Sequence, residues 1–188
     1  STDAVTLTIN ALPTAPTVSL GPDAATTTDD LIATATDSTD PDGSGTVSYS
    51  YAWYEGDEVS TASTSATFPA ASTTKNLTYK VVVTPSDGTG EGPSAQAEIT
   101  IANSVPVVES VSISAPDPLT TSSSLSCSAT TSDADGDEPS ISYAWTNETT
   151  GDVLASGSGD GSTVTLSPDA VAPEHSVQCT ATANDGDG

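Results

Sequence analysis

Apolar and small polar residues alternate at period two along most of the 188 positions. That is the pattern of strands with one buried and one wet face, and the three-to-four spacing of an amphipathic helix is absent. Val18/Leu20, Leu31/Ala33/Ala35, Val47/Tyr49/Tyr51/Trp53, Ala66/Phe68, Leu77/Tyr79/Val81/Val83 and Ala97/Ile99/Ile101 predict six successive strands. Val111/Ile113, Leu125/Cys127/Ala129, Ile141/Tyr143/Trp145, Val164/Leu166 and Val177/Cys179/Ala181 predict a second series. Gly, Pro, Asp and Ser between them supply turns, so the chain reads as all-β, built of sandwiches.

The two series are copies of one domain, offset by about 92 residues. Ser48-Tyr49-Ser50-Tyr51-Ala52-Trp53 matches Ser140-Ile141-Ser142-Tyr143-Ala144-Trp145, and Asp40-Pro41-Asp42-Gly43 matches Asp133-Ala134-Asp135-Gly136. Later, Val83-Thr84-Pro85-Ser86-Asp87-Gly88 matches Ala181-Thr182-Ala183-Asn184-Asp185-Gly186. Two cysteines far apart in sequence are compatible with one disulfide in an oxidising compartment, the other reading being two buried thiols.

Cys127, Trp145 and Cys179 fall on the second, third and sixth strands of the second copy, an arrangement that resembles the immunoglobulin fold. The resemblance implies a disulfide between Cys127 and Cys179 packed on Trp145. In the first copy Ala33 and Val81 take the cysteine positions, Trp53 is kept, and Tyr79 stands where that fold places a tyrosine corner. The Asp-Pro-Asp-Gly segment followed by Tyr-Ala-Trp also resembles the tandem PKD-like, immunoglobulin-like and cadherin-like domains of large bacterial and archaeal surface proteins. Such domains serve as stalks, spacers, adhesins and carbohydrate-binding accessories. The expected fold is therefore two tandem immunoglobulin-like β-sandwiches.

The copies differ at their ends. The first finishes with a seventh strand, Ala95 to Asn103, whereas the second stops at Gly188 before one. The chain opens with Asp3-Ala4-Val5-Thr6-Leu7-Thr8-Ile9-Asn10, which reads like that strand, and Asn10 leads into Ala11-Leu12-Pro13 as Asn103 leads into Ser104-Val105-Pro106. The expected layout is a donor strand at 1–10, a first domain at 11–103 and a second domain at 104–188 lacking its last strand. The connection from Asn10 to Pro16 reaches at most roughly 20 Å, less than the length of a sandwich, so the strand is not expected to fold back onto its own second domain. Either the chain is a window on a longer array of adjacent repeats, or each copy lends Asp3–Asn10 to another copy head to tail. An arbitrary boundary is the third reading, weakened by the tendency of open sheet edges to aggregate.

Charge sharpens this picture. There are 26 acidic residues against two lysines and no arginine, a formal charge of −24. Nucleic acid and acidic lipid, which are bound through Lys/Arg clusters, are excluded as partners, and cations are the natural counterpart. Low hydrophobicity with such charge is also a signature of disorder, but the ordered alternation argues for a core. Asp40, Asp42, Asp133, Asp135 and Asp137 precede the Tyr-Ala-Trp strand, and Asp87 and Asp185 lie in the loop after the sixth strand. In an immunoglobulin-like sandwich those loops share one end, beside Asn10 and Asn103 where the chain leads in. Alternating Asp with a turn-forming Gly suits a hard cation taking six to eight oxygens, so Ca²⁺ is the expected ion, and Mg²⁺ fits less well. The competing reading is that Asp-Gly pairs are ordinary turns.

No catalytic constellation stands out. His175 is the single histidine, no Gly-x-Ser-x-Gly elbow is present, and the paired carboxylates recur as a repeated structural feature. The chain is not expected to be an enzyme. Asn76-Leu77-Thr78 and Asn147-Glu148-Thr149 are sequons, which makes Asn76 and Asn147 possible glycosylation sites. With no initiator Met, signal peptide or membrane-length apolar run, the sequence reads as a mature or internal extracellular segment with no membrane insertion. The expected role is structural, a calcium-stabilised head-to-tail filament or stalk, with an adhesin or carbohydrate-binding accessory segment as the alternative.

Overall fold

A computed structural model describes residues 3–7, 9–43 and 45–187. It is all-β apart from one short 3₁₀ turn, Ala70–Ser72, and it divides between Asn103 and Ser104 into two compact units. Among the described residues no helix is long and apolar enough to cross a membrane.

Unit 1 contains β1 (Thr17–Gly21), β2 (Leu31–Thr36), β3 (Ser48–Glu55), β4 (Glu58–Ser60), β5 (Thr67–Phe68), β6 (Thr78–Ser86) and β7 (Ala95–Thr100). One sheet runs β1-β2-β5 and the other β4-β3-β6-β7, all antiparallel. Alternation puts Leu31 and Ala33 of β2, Trp53 of β3, Phe68 of β5 and Tyr79, Val81 and Val83 of β6 into one core, with Ala25 and Ile101 beside them. Phe68 lies between Trp53 and Tyr79, with ring centroids 5.1 and 5.2 Å away. Both polar tips are satisfied, as burial requires: Trp53 Nε1 donates to the Ser65 carbonyl at 2.9 Å and the Tyr79 hydroxyl to the Ser72 carbonyl at 3.2 Å. The Tyr79 bond, from two residues before the cysteine-equivalent Val81 back to the preceding turn, is the tyrosine corner. Burial pushes the Tyr79 phenol above its ordinary value.

Unit 2 contains β8 (Val107–Ser114), β9 (Ser124–Ser132), β10 (Ser140–Asn147), β11 (Asp152–Ser158), β12 (Ser162–Thr165) and β13 (Val177–Asn184). Its sheets are β12-β9-β8 and β11-β10-β13. Cys127 of β9 and Cys179 of β13 are joined by a disulfide with a Cα–Cα distance of 6.5 Å. Trp145 sits opposite Cys179 in the β10–β13 register, fully buried, and its Nε1 donates to Ser162 Oγ at 3.3 Å. Val177 takes the place of Tyr79, since Tyr79 opposes Glu55 as Val177 opposes Asn147.

Two strands lie outside the sequence expectation. β4 is three residues and β11 seven, and the larger apolar residue each exposes, Val59 at 65% and Val153 at 70%, broke the alternation that marks a half-buried strand. They form because each is the return arm of a hairpin from β3 or β10 and takes its register from that partner. In the other direction, the described part of the expected strand at 3–10 forms no strand among the described residues and leaves Val5, Leu7 and Ile9 exposed; Thr8 lies outside the described residues. A strand needs an edge to pair with, and in unit 1 the β6 edge is already taken by β7.

Candidate metal centre

Both copies build their Asp-x-Asp-Gly segment the same way. The first carboxylate folds back on its own turn: Asp40 Oδ1 accepts the Asp42 N–H at 3.3 Å, and Asp133 Oδ1 accepts the Asp135 N–H at 2.7 Å. The glycine N–H then closes the turn, Gly43 to the Asp40 carbonyl at 3.2 Å and Gly136 to the Asp133 carbonyl at 3.3 Å. Gly43 and Gly136 have φ of +68° and +83°, a region costly for any residue with a Cβ, which accounts for glycine at this step.

The second carboxylate turns outward to the chain leading into the domain. Asp42 Oδ2 accepts the Ala11 N–H at 2.6 Å, and Asp135 Oδ2 accepts the Ser104 N–H at 2.7 Å. In unit 1 the other acidic loop adds a second tether, with Asn10 Nδ2 donating to Asp87 Oδ2 at 2.9 Å while Asp87 Oδ1 takes the Thr89 and Gly90 N–H groups at 2.7 and 2.8 Å. The Asn10 bond first, then those two backbone N–H groups, hold the Asp87 carboxyl below its ordinary 3.8. Pro13 is fully buried in the same seam, and a Cβ at Gly92 would collide with its carbonyl, so that loop must be glycine there.

Asp133, Asp135 and Asp137 go further. Each offers an oxygen within 4.8 Å of the others, and among the described residues they are the group of three or more ligating side chains that converges. Asp133 Oδ2 is buried with no hydrogen-bond partner among the described residues. Two oxygens on one Ca²⁺ ion, each at 2.3–2.6 Å, are at most about 5 Å apart, so this spacing fits Ca²⁺ without rearrangement. The first copy carries Ser44 where the second carries Asp137, one carboxylate fewer. Asp40 Oδ2 there accepts the Gly45 N–H at 3.0 Å. Sequence spacing therefore identified the acidic loops, but not the difference between a hydrogen-bonded clasp in unit 1 and a carboxylate cluster in unit 2.

No protein family matches the sequence, and a comparison with curated proteins gives no match. Solved structures are similar to this chain over most of its length. They include the FN1–FN3 domains of chicken CNTN1, at 16% identity and a TM-score of 0.37, covering 95% of this chain and 65% of that one. A two-domain fibronectin type-III segment of chicken tenascin is 14% identical with a TM-score of 0.40, covering 91% of each chain. A carbohydrate-binding module of the β-sandwich superfamily is 14% identical with a TM-score of 0.34, covering 96% of this chain and 95% of that one. This chain thus spans about 65% of the length of the CNTN1 segment.

The remaining sequence candidates separate by burial. Asp185 Oδ1 accepts the Asp187 N–H at 2.9 Å, as Asp87 does for Thr89, and it is not one of the converging carboxylates. Asn103, the counterpart of Asn10, closes unit 1 and is partly buried. Asn76 is exposed, at φ +66°, and accessible to modification.

Asn147 departs from the expectation of a glycosylation site. It is fully buried, its amide nitrogen donates to the Ala170 carbonyl and to His175 Nδ1, both at 2.9 Å, and its oxygen accepts the Thr149 N–H at 3.0 Å. A glycan on that nitrogen is incompatible with the folded domain. His175 Nδ1 also accepts the Ala172 N–H at 3.2 Å, so this histidine is a structural acceptor.

Sequence reasoning missed the N–H donors of Ala11 and Ser104 and the buried node at Asn147. The repeated Asn-small-aliphatic-Pro lead-in was the available signal for the former; for the latter a sequon and a buried asparagine look alike.

Proposed function

We propose that this chain is a structural, non-enzymatic segment of an extracellular protein. Its tandem immunoglobulin-like sandwiches are stiffened by Ca²⁺ at their acidic loops and run head to tail as a filament or surface stalk. The observation that carries the metal reading is Asp133 Oδ2, a buried carboxylate oxygen without a hydrogen-bond partner among the described residues, lying against two further carboxylates. Such an oxygen is costly unless a cation or water meets it. In unit 2 Asp133, Asp135 and Asp137 would supply part of the shell, with carbonyls and waters completing six to eight oxygens.

The mechanical consequence follows from the clasp. Asp135 already holds the Ser104 N–H, so an ion on the same carboxylate would tie the turn to the chain that leads in. Without the ion, three carboxylates repel at short range; with it, the loop gains stability by linkage. The Cys127–Cys179 disulfide supports an oxidising, extracellular setting.

Thermal unfolding with and without Ca²⁺ tests the reading. Saturation at a hundredfold excess over Kd adds about 2.7 kcal/mol to unit 2. Asp137→Asn should remove most of that gain and leave the metal-free melt unchanged or raised. A melt that is the same in millimolar Ca²⁺ and in EDTA would sink it.

A binding module is the second reading, favoured by a cavity of about 400 Å³ in unit 2 whose lining includes Leu119, Leu125, Leu166, Val171, His175 and Val177. Its walls are mainly aliphatic, and both tryptophans are fully buried, which leaves no indole platform for a sugar ring. That weighs against carbohydrate as its ligand.

A further inference from the structure

Among the described residues β13 of unit 2 has one strand neighbour, β10, where its counterpart β6 in unit 1 has two, β3 and β7. Along β6, Ile99 of β7 opposes Tyr79, Glu98 opposes Lys80 and Ala97 opposes Val81. Ala97 and Ile99 pack against the unit 1 core together with Val18 and Leu20 of β1. The counterparts of those two β1 residues are fixed by register. Val18 opposes Ala35 and Leu20 opposes Ala33, as Val111 opposes Ala129 and Ile113 opposes Cys127. Val111 and Ile113 are nevertheless 42% and 45% exposed and lie outside the unit 2 core. Among the described residues β13 pairs with β10 alone. An aliphatic ledge on β8 and, among the described residues, a row of β13 backbone groups with no second strand neighbour therefore lie close together, since β8 approaches β13 whereas in unit 1 β1 approaches β7.

The same chain carries a matching sequence pattern. Val5, Leu7 and Ile9 are 91%, 83% and 85% exposed. They are spaced like Ala97, Ile99 and Ile101, with small or polar residues between. Isolated exposed aliphatics are ordinary, but three at alternate positions fall on one face once the segment is extended, and so make a contact surface. Charge is sparse on both surfaces: residues 4–10 and β13, Val177–Asn184, contain no ionisable side chain except the bridged Cys179, and the acidic groups nearby are Asp3 of the donor segment and Glu109 of β8, in a chain of net charge −24. Copies that repel elsewhere repel less where so few carboxylates meet.

We propose that residues 3–9 of one copy pair antiparallel with β13 of a second copy and lay Val5, Leu7 and Ile9 over Val111 and Ile113. This rests on the reading of the chain as a segment of a head-to-tail array and names the contact that builds it. The unit 1 register sets the pairing: Leu7 faces Val177, Thr6 faces Gln178 and Val5 faces Cys179. Backbone hydrogen bonds supply affinity and the alternating aliphatics supply register. Donor segment and acceptor rim are different surfaces, so the contact is heterologous and propagates.

The test is a register-specific crosslink in the 188-residue chain. Directly opposed antiparallel residues have Cα atoms about 4.5–5.5 Å apart, within disulfide reach, so Thr6→Cys with Gln178→Cys gives a ladder of covalent multimers on mild oxidation. Thr6→Cys with Thr180→Cys, two positions out of register, gives less than about a tenth of that ladder. Leu7→Asp remains monomeric by light scattering where the parent chain is multimeric, with its melting transitions retained. Equal ladders from both pairs, a crosslink confined within one chain, or a parent chain monomeric at all concentrations would overturn the proposal. The last result would assign the rim instead to residues following Gly188 in a longer chain. Ca²⁺ dependence of the melt is read on monomeric Leu7→Asp, so failure of strand exchange and failure of the metal reading are told apart.

Discussion

Ser104 donates its backbone N–H to the Asp135 carboxylate at 2.7 Å, and Ser104 is itself only 7% exposed. The same bond recurs from Ala11 to Asp42 at 2.6 Å, but there Asp42 is exposed and Ala11 only half-buried. The second aspartate of the repeated turn is thus a clasp for the chain leading into each domain, and its energetic weight depends on burial. With Asp135 removed the Ser104 N–H loses its partner in a site where water has little access. With Asp42 removed, water takes over.

Asp135→Ala is therefore expected to destabilise unit 2 by about 1–3 kcal/mol, the range for leaving a buried donor unmet by a charged acceptor. Asp42→Ala is expected to cost unit 1 distinctly less, within about 1 kcal/mol. Chemical denaturation in EDTA, followed through Trp145 for unit 2 and Trp53 for unit 1, separates the two. Equal losses would mean that burial of the donor does not set the cost.

Asp87 gives the clasp of unit 1 an acid limit. Its carboxyl lies below the ordinary 3.8, through Asn10 first and then the Gly90 and Thr89 N–H groups. A lowered folded-state value means the unfolded chain binds the proton more readily. The stabilisation is therefore present above about pH 4 and is lost as pH falls through the folded value. The stability difference between the parent chain and Asn10→Ala is expected to be constant from pH 7 down to about 5 and to shrink below 4. A difference that persists unchanged at pH 2.5 would show that Asn10 acts by something other than this bond.

The Cys127–Cys179 bridge spans 52 residues and closes unit 2 where unit 1 uses Ala33 and Val81. A loop of that length corresponds to about 4 kcal/mol of chain entropy removed from the unfolded state. The double variant Cys127→Ala/Cys179→Ala is expected to lose most of that from unit 2 alone, leaving the transition reported by Trp53 in place. Loss of both transitions together would show that the units unfold as one.

Much of this protein was legible in the sequence because its signals are local. Period-two alternation located β1, β2, β3, β6 and β7, and β8, β9, β10 and β13 in the second copy, with ends that differ by up to four residues, most at the start of β8. Internal repetition placed the division near Asn103, where the packing also divides. The resemblance at Cys127, Trp145 and Cys179 gave the bridge. Glycine after Asp-x-Asp marked a turn because few other residues adopt φ of +68° or +83°.

Tertiary structure decided what depends on burial and on convergence from distant parts of the chain. Asn76 and Asn147 carry the same sequon, yet one stands in solvent and the other is sealed under Ala170 and His175, a difference of packing that three residues cannot encode. Asp42 and Asp135 occupy matching motif positions, but only the latter stands among three carboxylates within 4.8 Å, because the third comes from Asp137 where the first copy has Ser44. β4 and β11 exist because a partner strand supplies their hydrogen bonds, with little contribution from their own pattern. The segment at 3–9 has the pattern but, among the described residues, no strand to pair with in its own chain. Alternation says which face of a strand is apolar; an available edge is what makes it a strand.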